Sequence, residues 1–437
     1  MKDVIILGAG LSGWGCVHVL TGARVYEKKD HPGGHAWSHV LNGVSFDEGA
    51  HIAHSKDPEW RARLLALGDS VHRIGQSRVT NFWHGHWITY PVQNHLCELP
   101  VEERTAALVD FMHAQMEHQG QTPANYREWC LFQYGRFLTE RFYCEYTTKY
   151  WRVPMEELAT DWLSGRLLPS QADRIVAGAL APMEERQSAF AEFLYPAAGG
   201  FYAFFKEALE RLPVTYNAAA VRVDSRRREI AFSNGQTESY RALASSIPLP
   251  ELVRIISDAP EEIRDAAAAL RHLQLLCVNM IIRRPALTPA HWFYIYDPDV
   301  EVSRVSVIGN LAPNSAPPGH TVLQAEIFRR RDESMDSASL GDKAVRNVAR
   351  VLGFDSGREV EAVGQVHVPY SYVISDLNRA SSVDTIIPWL EARDIYPMGL
   401  FGRWKFMWSD VAFRSGIEAG ERIRKRLARG VQQPANH

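Results

Sequence analysis

Six residues near the N-terminus, Gly8-Ala9-Gly10-Leu11-Ser12-Gly13, have the types and spacing of a turn that cradles a pyrophosphate. Gly8 suits the tight turn, Gly10 lets the backbone approach the phosphates, and Gly13 lets a helix pack against the preceding strand. Leu11 and Ser12 open that helix, whose free N–H groups and dipole face an anion. Glu27 follows at the distance where an acidic side chain takes ribose hydroxyls. The implied chemistry is dinucleotide binding.

The elements that must hold these residues are legible around them. Val4-Ile5-Ile6-Leu7 reads as a short, buried parallel strand. Cys16, Val17, Val19 and Leu20 form an apolar helix pattern, Thr21-Gly22-Ala23 ends it, and Arg24-Val25-Tyr26 is a second strand that delivers Glu27. A bare glycine triplet is a weak signal; strand, helix, second strand and acid in order are a strong one.

Composition bounds the rest. A chain of 437 residues calls for two or three domains, or one large α/β domain with insertions. With 46% hydrophobic and 23% charged residues it is neither disordered, collagenous nor a coiled coil. Its 48 basic and 51 acidic residues give a net charge of −3, so no bulk field favours nucleic acid. Five cysteines, Cys16, Cys97, Cys130, Cys144 and Cys277, are scattered without a CxxC pair, which argues against a disulfide framework and a structural zinc. No metal is expected. The N-terminus shows no secretion signal and no run reaches the roughly 18 apolar residues of a membrane helix, so a cytoplasmic location is expected.

Further along, residues 61–190 are rich in helix formers and aromatics and read as a helical insertion. Val214-Thr215-Tyr216, Ala220 to Val223, Glu229 to Phe232 and the turn Asn234-Gly235 suggest a small antiparallel meander. Ala242 to Ile247 returns to the parallel sheet, 273 to about 370 holds strands with Pro-rich turns, and a final helix runs from about Asp410 to Ala428.

The doublet Gly33-Gly34, soon after Glu27 and Lys28 and before His35, resembles that of the large FAD family of amine oxidases, phytoene desaturases, protoporphyrinogen oxidases and UDP-galactopyranose mutases. There the doublet presses a second loop against the FAD diphosphate. The resemblance narrows to the UDP-galactopyranose mutases, and more to their eukaryotic branch. Asp47 to His54, with Ala50 and His51, is similar to the family's segment beside the isoalloxazine. Tyr90-Pro91-Val92-Gln93-Asn94 looks like its YPxQN motif, and Lys149 to Pro154 with Trp162 to Arg166 resembles its tryptophan and mobile-loop arginine segment. Tyr195 to Gly200 is similar to the FPxxGG loop, Tyr294 and Arg304 to the base-stacking tyrosine and second substrate arginine, and Gly399 to Phe406 to the C-terminal flavin turn.

What the resemblance implies is an α/β fold: a Rossmann-like FAD-binding domain with an inserted helical domain and an antiparallel-sheet substrate domain. The expected division is a discontinuous FAD-binding domain over 1–60, 197–250 and 390–437, a mostly helical insertion over 61–196, and the substrate domain over 251–389. Gly8, Gly10, Leu11, Ser12, Gly13, Glu27, Lys28, Gly33, Gly34, His35, Ala50, His51, Val221, Gly402 and Asp410 are expected to hold FAD. Arg166 and Arg304 would fork around a sugar-nucleotide diphosphate. Phe142 and Tyr294 would sandwich a uracil, with Gln93 and Asn94 nearby and Trp151 forming a wall near the sugar. Tyr372 or Tyr370 would face the phosphates, the alignment leaving both open, and Phe406 stands where the family has a phosphate-contacting tyrosine. Asp410 would set a helix N-terminus at the flavin pyrimidine edge.

The implied activity is pyranose–furanose isomerisation of a nucleotide sugar, UDP-linked in the family and serving cell-surface polysaccharide biosynthesis, with N5 of reduced FAD as nucleophile. It needs NAD(P)H or another reductant, and a homodimer is compatible with it. The chain departs from the family at Leu311 and Phe406, which stand for tyrosines, and at Leu400, which stands for an FAD-contacting arginine with Arg403 the nearby substitute. Two alternatives remain open: an FAD-dependent oxidoreductase of the amine oxidase, protoporphyrinogen oxidase or desaturase type, and a flavin-binding protein without catalysis.

Overall fold

Val4–Leu7 lies at the centre of a five-stranded sheet ordered Ile395–Pro397, Ala242–Ser245, Val4–Leu7, Arg24–Tyr26 and Val214–Thr215. Every neighbouring pair in it is parallel. A parallel strand covered on both faces must be apolar throughout, and Val4–Leu7 is buried at all four positions. Val4 and Ile6 pack with Cys16, Leu20, Met398 and Ile423, whereas Ile5 and Leu7 face Leu249, Leu252 and Leu390. The computed structural model describes residues 3–118, 120–164, 166–183 and 192–431; Gly165, part of the loop-arginine motif, lies outside them.

The helix Leu11–Val19 packs on the C-terminal helix Ser409–Val431 with almost no space between their backbones. A Cβ on Gly15 would stand 2.0 Å from the Phe413 carbonyl oxygen, and one on Gly416 would stand 1.9 Å from that of Ser12. This contact brings the start of the last helix to the start of the first.

A second, seven-stranded sheet runs in the order Val360–Val373, His272–Ile282, Thr321–Arg330, Arg304–Val307, Trp292–Ile295, Val79–Trp83 and His86–Thr89. Only the pairing of Trp292–Ile295 with Val79–Trp83 is parallel. His272–Ile282 is buried along its whole length because both faces are covered. Leu273, Leu275 and Cys277 face the helical region, and Leu276, Val278, Met280 and Ile282 face the helix Ser337–Leu352.

One expectation needs correction. Val214–Thr215 is the outer strand of the parallel sheet, with Val25 opposite Val214, and the antiparallel meander holds only Ala220–Asp224, Glu229–Phe232 and Thr237–Ser239. Within 61–196 the helices Val101–Glu117, Tyr126–Leu138 and Ala172–Leu180 are accompanied by strands. Val79–Trp83 and His86–Thr89 form a hairpin that completes the large sheet, turning at His84-Gly85, where both φ angles are positive. Among the described residues no helix is long and apolar enough to cross a membrane.

Candidate functional site

The first loop is shaped as a cradle. Gly8 has φ +103°, and a Cβ on it would stand 2.0 Å from Ser246 Oγ. A Cβ on Gly13 would stand 2.1 Å from the Gly8 carbonyl oxygen, so any side chain there drives helix and strand apart. Gly10 caps the helix without a side-chain bond, which leaves the first-turn N–H groups for an acceptor.

Glu27 is buried and fastened to this loop. Its Oε2 accepts the Ala9 N–H at 2.9 Å and its Oε1 accepts the Lys29 N–H at 3.0 Å. The Ala218 N–H donates to the Glu27 carbonyl, which brings the segment leading to Val221 alongside; the Val221 side chain is exposed, as is Lys28. The second loop closes on the first, since the Gly33 N–H donates to the Ala9 carbonyl at 2.9 Å. Gly402 is buried behind it, where a Cβ would meet the Ser245 carbonyl at 2.7 Å.

Two acidic residues with no assigned sequence role organise the floor. Glu48 accepts from Lys29 Nζ at 2.8 Å and pairs with His35 Nδ1 at 2.9 Å and His39 Nε2 at 3.3 Å. Burial opposes ionisation of Glu48, but the two histidines and Lys29 outweigh it and hold its carboxyl below the usual range. Asp47 accepts from Tyr195 OH at 2.6 Å, Ser38 Oγ at 2.7 Å and the Phe201 N–H at 2.8 Å, which docks the Tyr195–Gly200 loop. Here burial wins and pushes the carboxyl up. Both residues sit inside the stretch Asp47 to His54, and their place in that stretch is the signal that could have found them.

His51 stacks on Phe201 with centroids 5.1 Å apart. Its Nδ1 lies 3.0 Å from the Gly49 carbonyl, an acceptor only, so Nδ1 carries the proton. Burial lowers its pKa against the pull of Asp47, leaving Nε2 an unprotonated acceptor. Asp410, at the start of the last helix, accepts from Ser55 Oγ and has its other oxygen buried without a partner.

The wall of the neighbouring cleft is aromatic. The Arg166 guanidinium lies 4.1 Å from the Phe406 ring, 5.4 Å from Trp162, 5.6 Å from Trp151 and 5.8 Å from Tyr372. No carboxylate pairs with it among the described residues. Gln93 lines a cleft with Tyr90, Tyr143, Leu167 and Tyr296, and its Oε1 accepts from Tyr143 OH at 3.0 Å. Tyr294 lies 5.7 Å from Tyr90 and opposite Arg304 across the strands.

Several expected residues stand elsewhere. Arg304 is not open to fork around a diphosphate, because it already forks around Glu326: Nε to Oε2 at 2.9 Å and a terminal nitrogen to Oε1 at 3.0 Å. Burial disfavours its charge, and Glu326 more than offsets that and pushes its pKa up. Phe142 is fully buried, stacked on Trp83 at 4.5 Å with Tyr296 against its edge, and has no free face for a base. Asn94 is buried with its backbone against Gly178.

Tyr372 joins the Arg166 cage, but Tyr370 turns to His272, stacked at 4.1 Å, and donates to Glu251. The register slips between Tyr372 opposite Leu273 and Val368 opposite Leu275, so a bulge sends the two tyrosines to different neighbours. Arg403 faces Glu391, and Leu311 is buried in an apolar cluster.

Residues 23–373 match the model of the family described as flavin containing amine oxidoreductase. The fold is similar to that of a reduced UDP-galactopyranose mutase, with TM-score 0.90 at 23% identity over 98% of this chain and 96% of that one. It is also similar to an Exiguobacterium sp. protein assigned as a protoporphyrinogen oxidase, with TM-score 0.75 at 16% identity over 97% and 99%. A redesigned putrescine oxidase gives TM-score 0.63 at 14% identity over 97% and 99%. The cradle fits FAD: glycine backbone and free helix N–H groups for its diphosphate, Glu27 for a ribose, and a buried, unpartnered Asp410 oxygen at the start of the last helix. The chain is a flavoprotein that uses FAD and belongs to the flavin-containing amine oxidoreductase family.

Proposed function

We propose that this protein is an FAD-dependent nucleotide-sugar mutase of the UDP-galactopyranose mutase type, interconverting pyranose and furanose forms. The observation that carries the reading is Arg166, a cation with no carboxylate partner among the described residues, boxed by four aromatic rings beside a cleft of tyrosines. A half-buried guanidinium without a carboxylate partner suits an anion, and a sugar-nucleotide diphosphate supplies one.

Bound, reduced FAD supplies the nucleophile for the anomeric carbon, and no protein side chain has to take that part. Arg166 binds the diphosphate and stabilises it as leaving group. Tyr294 offers a flat platform to the base, Gln93 a polar edge and Trp151 a wall against the sugar. His51, neutral with Nε2 unprotonated, accepts a hydrogen bond without adding charge. The start of the helix Ser409–Val431 would offer its positive dipole to the negative charge of a reduced flavin.

A second reading, two-electron oxidation by an oxidoreductase of the amine oxidase type, draws on the family match and on the apolar Phe406 against Arg166. One experiment separates the two. The yellow protein, reduced with dithionite without oxygen, is incubated with UDP-galactopyranose and a panel of UDP-, GDP- and dTDP-sugars, and the products are chromatographed. A furanose isomer formed only with reduced flavin establishes the mutase. No isomer, together with an oxidised flavin spectrum that UDP leaves untouched, rejects it in favour of the oxidoreductase.

A further inference from the structure

Glu326, to which no role has been assigned, is the most buried charged group of the site, with no exposed side-chain surface. It lies in Thr321–Arg330, directly across the antiparallel register from Arg304. Besides forking with Arg304, its Oε1 accepts the Ala50 N–H at 2.7 Å. Gly49 turns at φ +91° just above it, where a Cβ would meet Leu275 at 2.9 Å and stand 3.6 Å from Glu326 Oε1. One carboxylate therefore holds a cleft arginine and the loop carrying Ala50 and His51. Ion and counter-ion cancel, so Arg166 is left as the net positive charge of the cleft.

We propose that Glu326 is a positioning residue: with Arg304 it forms a charge-neutral clamp that joins the substrate cleft to the flavin-side loop Gly49–His51. The clamp sets the orientation of Arg304 and keeps its charge from acting on the flavin. This rests on the reading above that the loop lies against the flavin. A buried pair kept neutral this way exposes its charge when either partner is removed, and the two removals expose opposite signs.

The test is the flavin midpoint potential of the FAD-loaded protein. Glu326→Gln leaves Arg304 uncompensated, which favours anionic reduced flavin and shifts the potential to more positive values. Arg304→Met leaves the carboxylate uncompensated and shifts it to more negative values. The double variant R304M/E326Q is expected back near the wild-type value. Shifts in one common direction, or no shift in either single variant, overturn the clamp, because loss of packing alone has no sign. Loss of flavin from E326Q that the double variant restores supports the coupling; loss that the double variant shares overturns it.

UDP is the second probe. If it alters the wild-type flavin spectrum and the change is lost in E326Q, cleft and loop are coupled as proposed. An unaltered response in E326Q overturns that coupling. If UDP leaves even the wild type untouched while the opposite-signed potential shifts hold, the nucleotide-sugar reading falls and the clamp stands.

Discussion

The cradle and the cleft solve different problems with different material. The cradle is made of backbone: Gly8, Gly10 and Gly13 with Gly33 pressed against Ala9, and a single carboxylate, Glu27, tied to the same loop. The cleft is made of side chains drawn from scattered stretches between Tyr90 and Phe406, and its charge depends on which of them are paired. A backbone site fails when one atom is added. A side-chain site can be tuned one atom at a time.

The largest effect expected is therefore in the cradle. Gly13→Ala puts a Cβ 2.1 Å from the Gly8 carbonyl, a neighbour that cannot rotate away. Overpacking of this kind costs about 3 kcal/mol or more. The variant should purify without flavin and with a lowered denaturation midpoint; a yellow, fully stable G13A would mean the cradle has slack that the structure denies.

A smaller effect sharpens the comparison by touching neither site directly. Burial pushes His272 down to about 4, its Nδ1 has no partner, and Tyr370 stacks on it. A histidine held neutral in the fold takes up its proton on unfolding, so stability is full above its ordinary value of 6.5 and falls as the pH drops towards 4. The loss is about 2 kcal/mol between pH 7 and pH 5. His272→Phe should flatten that part of the pH–stability curve in thermal melts while FAD stays bound. An unchanged slope would assign the acid sensitivity elsewhere.

The same contrast decides what the sequence revealed. Strand, glycine turn, helix, strand and Glu27 are contiguous, so local periodicity and glycine spacing expose the cradle before any tertiary contact is known. In the cleft, Arg166, Trp151 and Tyr372, singled out by residue type, do meet. Its electrostatics were hidden, because the partner of Arg304 is a neighbour across two strands rather than in the chain. Tyr370 and Tyr372 share a parity that places them on one face of a regular strand, and only the bulge separates them. Phe142 reads like any aromatic until Trp83 is found on its face.

Arg166→Ala tests the cleft in isolation. Removing a charge-assisted contact to the diphosphate costs about 2 kcal/mol, roughly 30-fold in the dissociation constant for UDP. FAD content should not change and the melting temperature should fall only slightly, because among the described residues the guanidinium has ring contacts but no carboxylate partner to strand. UDP titration followed by flavin absorbance measures both at once. Unchanged UDP binding would remove Arg166 from the site, and flavin loss would mean that cradle and cleft are less separable than their construction implies.

The finest adjustment is Phe406→Tyr. Phe406 packs under Arg166 at 4.1 Å and lies nearly parallel to Tyr372, with centroids 6.5 Å apart, so its ring already has the right plane. A hydroxyl added at its para position extends past the guanidinium without moving the ring, and it gives a bound phosphate one more donor. One such hydrogen bond to a charged group is worth about 1.5 kcal/mol at the lower end of its range, and orienting the hydroxyl takes part of that. UDP should bind F406Y a few-fold more tightly than wild type, and the gain should vanish in F406Y/R166A, where the anion is no longer held beside the ring. A tighter complex that survives loss of Arg166 would place the phosphate elsewhere in the cleft. Weaker binding would mean that the ring needs its apolar edge, and that this cleft takes a ligand with less charge than a diphosphate.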